Sequence, residues 1–254
     1  MSRGVTSAAY GTLSGGLAPG IGSNPVVDQL VQVRRRPLTL FPTRTEYFEY
    51  LGQWDQVLKR AVDLAGAVIA FVALSLVWVV AAVLVKLSSR GPVLFRQQRV
   101  GLNGKTFWYY KFRTMYVGDD SQERRLRYAR LVQGDAPAGK IVNESRITQV
   151  GRFLRKSSID ELPQLINVIK GEMSLVGPRP SIPYEVEFFD AWHMERFRVK
   201  PGMTGLWQVN GRAEVAFREM IRWDLTYVRN RSLWLDTKIL LKTVPAVLSG
   251  RGAH

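Results

Sequence analysis

From Leu64 to Val85 the chain runs 22 residues without a charge, nearly all of them Ala, Val, Leu, Ile or Phe. As one helix this run is about 33 Å long, close to the thickness of a bilayer's hydrocarbon core. A buried helix of a soluble core is the alternative, but such helices seldom run this far without a polar face. The run starts too deep in the chain for a secretory signal, and no small-residue cleavage site follows it. Its flanks are basic on both sides: Lys59 and Arg60 precede it, and Lys86, Arg90, Arg96 and Arg99 follow. A spanning helix usually carries its Lys/Arg excess on one side. Basic charge at both ends points instead to two ends on the same face, and hence to a re-entrant hairpin. Ser75, near the middle, is the candidate membrane break, since its hydroxyl can bond a backbone carbonyl and bend a helix. No Pro or Gly between Ala67 and Val85 enforces a kink, so re-entrant and spanning courses both stay open on pattern alone.

The rest divides around that run. Residues 1–45 read as a flexible basic tail, rich in Gly and Ser, with Arg34-Arg35-Arg36 as a cluster suited to anionic lipid or to plain solvation. Residues 46–90 hold an amphipathic lead-in (Tyr47, Tyr50, Leu51, Trp54 and Leu58 at helical spacing) and the apolar helix. Residues 91–254 form the third unit. There, Val93–Phe95 and Thr106–Phe112 read as strands around the turn Gly101-Leu102-Asn103-Gly104. Residues 119–134, 160–170, 183–198, 213–230 and 232–248 read as helices, the 160–170 helix stopping at Gly171. Residues 134–140 read as a loop. The last helix carries Trp234, Lys238 and Lys242 at the border of an apolar face, which suits either the membrane interface or packing on the core. No repeat of solenoid length is present.

Composition narrows the chemistry. The 254 residues carry 36 Lys plus Arg against 21 Asp plus Glu, a net charge of +15, and 46% are apolar, too many for a mainly disordered chain. There is no cysteine, which removes disulfides, thiolate nucleophiles and Cys-ligated metals together. Of the two histidines, His254 is the last residue, so a Ser-His-Asp triad would have to rest on His193. Catalysis therefore falls to carboxylates, with the arginines as anion clamps. The basic balance fits nucleic acid, an anionic membrane or a phosphorylated substrate. Gly101 to Thr106 imitates the end of a phosphate-binding loop, but Arg99 stands where that motif needs its first Gly. No dinucleotide-binding glycine fingerprint is present either.

Four strings carry candidate chemistry. In Leu154 to Gln164, Ser158 and Glu161 have capping-box spacing and Pro163 fits a first helical turn, so Asp160 and Glu161 are expected at a helix N-terminus. That is an ordinary helix start; it also keeps a carboxylate ionised and welcomes phosphate, with Arg155 and Lys156 just upstream. Adjacent carboxylates point about 100° apart on a helix and can do different jobs: one attacking phosphorus, the other helping to hold a hard cation such as Mg²⁺. In Val176 to Pro180, two prolines restrain Arg179. In Lys111 to Met115, Lys111 and Arg113 are two apart on a strand and so share a face. Pro201 to Arg212 supplies glycines for close backbone approach, amides and Arg212.

Together with Lys59-Arg60-x-x-Asp63 and Gly91-Pro92-Val93-x-Phe95-x-Gln97, these strings resemble the monotopic polyprenol-phosphate phosphoglycosyl transferases, the bacterial sugar transferase family. The match runs from about Lys59 to the C-terminus. The resemblance implies a mixed α/β, mainly helical fold: a re-entrant membrane helix, a cytoplasmic catalytic domain at the bacterial inner membrane, amphipathic interfacial helices and a small sheet. It implies that Asp160 attacks the β-phosphorus of a UDP-sugar, releases UMP, and passes the sugar phosphate to undecaprenyl phosphate. Glu161 would complete the dyad by binding Mg²⁺, acting as base or orienting Asp160. Lys111, Arg155, Arg179 and Arg212 would clamp phosphates. The overall look is of the short, exopolysaccharide-initiating members that use galactose or glucose. One departure concerns the break: the family usually has Pro after Ser75, and Leu76 stands here. Ala65, Gly66 and Ala70 lie near helix-packing spacing, and a homodimer stays open. Two competing classes are a membrane-tethered nucleic-acid binder, which lacks any base-reading motif, and a non-catalytic adaptor of polysaccharide assembly; the reading adopted has no nucleic-acid partner.

Overall fold

The apolar run does not form one rod. In the computed structural model, which describes residues 53–118, 121–134, 144–211 and 216–249, helix α1 (Gln53–Ala73) and helix α2 (Ser75–Ser88) meet at Leu74 with a bend of 63°. The tail 1–45, Tyr47, Tyr50, Leu51, the 135–140 loop, Arg212 and the last five residues lie outside the described residues. Leu74 leaves helical geometry at φ −99° and ψ 10°. The break falls beside Ser75, as expected, but among the described residues no hydrogen bond from the Ser75 hydroxyl to a carbonyl accounts for it. Aromatic packing occupies the elbow instead. The Trp78 ring lies 5.3 Å from Phe71 on the other arm and 5.3 Å from Phe112 in the domain below. No single described helix is long and apolar enough to cross a membrane, but the bent pair together has that length and composition.

Both arms are held by the same body. On α1 the buried positions Lys59, Asp63 and Ala67 recur every four residues and form one face. Lys59 Nζ lies 2.7 Å from Asp63 Oδ1 and 2.9 Å from Asp236 Oδ2. Asp63 Oδ1 also accepts from Ser174 Oγ and Leu175 N, each at 3.1 Å. Removing one partner of a buried pair like this costs about 3–5 kcal/mol. A Cβ on Gly66 would come within 2.7 Å of Leu175, so the small residues of α1 serve a contact inside the chain. On α2, Ala81 and Val85 are buried against Phe112 and Leu154. The remaining faces of both arms leave Ile69, Val72, Leu76, Val79 and Leu87 more than 60% exposed. Each such side chain forgoes about 1.5–3 kcal/mol of burial in water.

Strands β1 (Leu94–Val100) and β2 (Thr106–Phe112) form an antiparallel hairpin with Leu94 opposite Phe112 and Val100 opposite Thr106. Its turn needs left-handed backbone at Asn103 (φ 53°) and Gly104 (φ 73°). The first strand is longer than the 93–95 expected, because Arg96 to Arg99 masks its alternation. Helix α3 (Ser121–Gly134) is followed by α4 (Gln149–Lys156), which packs on α2. A side chain on Gly151 would strike the Thr114 carbonyl at 2.0 Å. Helix α5 (Gln164–Lys170) stops at Gly171, whose φ of 83° gives the left-handed C-cap that the sequence predicts.

A second sheet was not expected. Strand β3 (Ser174–Val176) pairs in parallel with β4 (Gly202–Thr204). Their glycines allow the approach: a Cβ on Gly202 would lie 2.0 Å from the Gly177 nitrogen. Residues 183–198 are not one helix. Helix α6 (Pro183–Val186) ends early, Phe189 turns into the core, and a 3₁₀ segment restarts at Ala191–Arg198, with the Asp190 amide donating to His193 Nδ1 at 2.8 Å. His193 is thereby a core residue among Phe189, Trp192 and Phe217, not a triad base. Helices α7 (Leu206–Asn210), α8 (Phe217–Asn230) and α9 (Leu233–Leu248) complete a mostly helical fold with two small sheets.

Candidate active site

Asp160 does not open a long helix. It sits in a single 3₁₀ turn, Ile159–Glu161, ahead of α5. Ser158, expected to cap that start, has φ 57° and no capping hydrogen bond. A left-handed, non-glycine residue immediately before a buried carboxylate is the kind of local strain that gathers at functional sites. The turn presents the two acids differently: Asp160 is 7% exposed, while Glu161 is half-buried. Ile159 joins the apolar contact with α2, so the carboxylates stand beside the bent helix pair.

The cations expected around Asp160 are largely there. Burial and the neighbouring Glu161 raise Asp160 to about 7, opposed by Lys111 and Arg155. Burial lowers Lys111 to about 8, with Arg155, Arg99 and Arg179 adding to the effect and Asp160 opposing it. Burial also lowers Arg155, whose Nε donates to Thr114 Oγ1 at 2.9 Å and whose Nη1 is buried without a hydrogen-bond partner. Arg179 is raised: burial works against it, but Tyr109, Glu161, Glu185 and Asp160 together prevail. Asp160, Glu161, Lys111, Arg155 and Arg179 therefore share one electrostatic neighbourhood. Arg212 lies outside the described residues. Arg113 does not join Lys111. The strand ends at Phe112, and the Arg113 guanidinium instead donates to the carbonyls of Arg90 (3.1 Å), Ser89 (2.6 Å) and Val85 (3.3 Å) at the end of α2.

The Arg179 segment is anchored at three successive carbonyls. Pro178 O accepts from Gly202 N at 2.9 Å, Arg179 O from Arg196 Nη2 at 2.9 Å, and Pro180 O from Arg99 Nη1 at 2.9 Å. Arg196 is itself held 2.6 Å from Asp224 Oδ2, both side chains buried. Burial raises Asp224 to about 6, with Arg196 opposing. Sequence reasoning missed three of these residues. Arg99 read as a flanking charge, yet it is buried with its guanidinium 5.0 Å from the Tyr109 ring. Tyr109 in turn accepts from Gln164 Nε2 and is raised far above an ordinary tyrosine, chiefly by burial. Asp224 lies inside the predicted 213–230 helix and was not singled out. The signal available for Arg99 was a cation inside a strand, flanked on its inward side by Val100.

Gly202 and Gly205 face the chain rather than a ligand, since both pack on Gly177. Among the described residues, no cluster of three or more His, Cys, Asp and Glu side chains forms a metal cage. The Asp160–Glu161 pair still fits Mg²⁺, which takes hard oxygen donors and is commonly held by one or two carboxylates with substrate phosphates. A cation there would also relieve the repulsion that raises Asp160.

Comparison with known proteins supplies the family. The Bacterial sugar transferase family matches residues 54–250. The Exopolysaccharide production protein ExoY of Rhizobium meliloti (strain 1021) is 42% identical over 202 residues, which cover 77% of this chain and 88% of that protein. The Undecaprenyl-phosphate galactose phosphotransferase of Salmonella typhimurium (strain LT2) is 47% identical over 171 residues, 65% of this chain and 35% of that protein. The Undecaprenyl-phosphate glucose phosphotransferase of Komagataeibacter xylinus is 40% identical over 214 residues, 80% of this chain and 38% of that protein. The matched span takes in the bent helix pair, the acidic turn and the anchored arginine segment, and the chain belongs to the bacterial sugar transferase family of enzymes.

Proposed function

We propose that this chain transfers a hexose-1-phosphate from a UDP-sugar, with galactose or glucose as the hexose, to undecaprenyl phosphate, and so starts a surface polysaccharide. The observation that carries this reading is the setting of Asp160: a buried carboxylate on a strained turn, with Lys111 and Arg155 as its cationic neighbours and Arg179 in electrostatic reach. A carboxylate so placed is a nucleophile toward phosphorus rather than a surface acid. An Asp160 oxygen attacks the β-phosphorus, and the bond from that phosphorus to the bridging oxygen breaks. UMP leaves with the bridging oxygen, and the sugar phosphate stays on Asp160 as an acyl phosphate. A phosphate oxygen of the polyprenyl acceptor then attacks the same phosphorus and frees the carboxylate. The product is a polyprenyl diphosphate sugar.

Lys111, Arg155 and Arg179 neutralise the equatorial oxygens in both steps, the main electrostatic task of phosphoryl transfer. Arg212 belongs with them by its motif. Asp160 and Glu161 are the residues that would hold Mg²⁺, which supplies charge neutralisation on a diphosphate. Glu161 acts either there, as a base, or by orienting Asp160.

The acceptor is a lipid, and we place the enzyme on the cytoplasmic face of a bacterial inner membrane, with α1 and α2 re-entering one leaflet. What supports re-entry is that one folded body grips both outer ends of the pair: Arg60 donates to the Val168 and Ile169 carbonyls at 2.6 and 2.8 Å, and Arg113 holds the far end at Ser89. Tests of the function use turnover. In purified protein with Mg²⁺, undecaprenyl phosphate and a panel of UDP-sugars, one or two sugars should release UMP. Asp160→Asn should lose release by on the order of 10⁴-fold or more, and a trapped wild-type digest should contain the Asp160 peptide with added hexose phosphate. Wild-type UMP release by Asp160→Asn would remove the nucleophile assignment. Intact polysaccharide output in cells carrying that variant would favour an adaptor.

A further inference from the structure

Lys200 is half-buried, and among the described residues its amine has no hydrogen-bond or ion-pair partner. It stands among cations instead. A Cβ built on Gly171 would lie 3.5 Å from Arg60 Nη2 and 3.7 Å from Lys200 Nζ, so both positive groups flank the same turn. Burial, Arg60, Arg231 and Lys59 press the Lys200 amine below an ordinary lysine, and Asp63 alone opposes them. Asp63 is already committed, to Lys59, Ser174 and Leu175. Three segments meet to make this corner: the base of α1, the turn after α5 and the stretch just before β4. Arg60 is spoken for by the Val168 and Ile169 carbonyls, but the Lys200 amine beside it meets no acceptor among the described residues; a bound oxyanion would offset the repulsion between the two.

The surroundings indicate which oxyanion. Val57 and Leu58, one turn or less from Arg60, are exposed on α1. Trp234, three residues after Arg231, is 66% exposed, and Lys238 Nζ sits 4.9 Å from the centre of its ring. An exposed Trp with cations beside an apolar helix marks a headgroup layer. We infer that Arg60 and Lys200 form a binding site for a phosphate group, supplied by the headgroup of an anionic phospholipid. The site shares no residue with the catalytic turn. Only the choice of a headgroup as the source rests on the membrane reading of α1.

The test uses the full chain in nanodiscs of phosphatidylcholine, with and without phosphatidylglycerol, and in detergent with and without inorganic phosphate. Native mass spectrometry should find phosphatidylglycerol retained by the wild type, about tenfold less by Lys200→Gln, and as in the wild type by Lys200→Arg. A measurement without substitution accompanies it: acylation of Lys200 in the wild type, read on its peptide, should slow several-fold when phosphatidylglycerol is present. Slowing by inorganic phosphate, with no lipid retained, keeps the anion site and makes its source a soluble phosphate. Equal retention by wild type and Lys200→Gln, with acylation indifferent to both anions, overturns the site. UMP release is followed in parallel and should be unchanged in Lys200→Gln; its absence from the wild type would count against the proposed reaction and not against the anion site.

Discussion

Asp160 holds its proton up to about pH 7 because it is buried next to Glu161, so the proposed nucleophile is ionised only above that range. Lys111 sheds its charge above about pH 8, chiefly because it too is buried. The two groups interact and titrate as a pair. The expected kcat/KM profile for the UDP-sugar is therefore a narrow bell, falling below about 7 as the carboxylate protonates and above about 8 as the amine is lost. Lys111→Arg keeps its charge at every accessible pH, so initial rates for this variant should extend the basic limb upward and leave the acidic limb in place. Stability runs the other way. Asp160 binds its proton more tightly in the folded chain than the ordinary carboxylate does, so its contribution weakens as pH rises from about 4 toward 7. Asp160, Glu161, Lys111, Arg155 and Arg179 were legible because two acids beside cations and an arginine between prolines are local signals. Arg99 and Asp224 were not, since what makes each matter is a partner 81 or 28 positions away.

At the scale of elements, the Pro178–Pro180 segment shows how the proposed phosphate clamp is set from behind. Its backbone hangs on Arg99, Arg196 and Gly202, and Arg196 depends on Asp224. Asp224→Asn keeps the volume and one acceptor oxygen but removes the charge that orients Arg196. It should lower kcat/KM for the UDP-sugar about tenfold, the scale of one charge-assisted contact. In an Arg179→Gln background the same change should add nothing, because the clamp it positions is already gone; a double-mutant cycle reads this directly, and full additivity would make Asp224 a packing residue. Elements were legible where one local device decides them. The β1–β2 turn has its Asn-Gly pair, and α5 has Gly171 at its end. They were opaque where tertiary contact decides: β3 and β4 have three residues each and exist because Gly177 and Gly202 let them touch, and the 183–198 helix gives way because burying Phe189 outweighs continuing the turn. The Ser158 capping box failed for a similar reason, as its left-handed backbone serves the placement of Asp160.

For the whole molecule, the property that decides the proposed re-entrant course is which side of a membrane each end of the α1–α2 pair would occupy. A straight span would put Asp55 and Arg90 about a bilayer apart. Here both ends are tied to one domain, by Arg60 to the end of α5 and by Arg113 to the end of α2, and the elbow at Leu74 is packed by Trp78 against Phe71 and Phe112. Separating the ends would break the buried Lys59–Asp63–Asp236 cluster and strip Ala81 and Val85 from Phe112, a cost of several kcal/mol that no lipid contact replaces. The chain has no cysteine, so a single introduced one reports without background. Asp55→Cys and Arg90→Cys, both exposed positions, should react alike with an impermeant maleimide in sealed vesicles, from the face that carries the catalytic domain. Trp78→Ala should loosen the elbow yet keep that sidedness, because the ion pairs at the base remain; Ser75→Ala should change neither, since among the described residues its hydroxyl bonds no carbonyl. Labelling of the two cysteines from opposite faces would make the pair a broken span, and the grip of one domain on both ends would then need a different explanation.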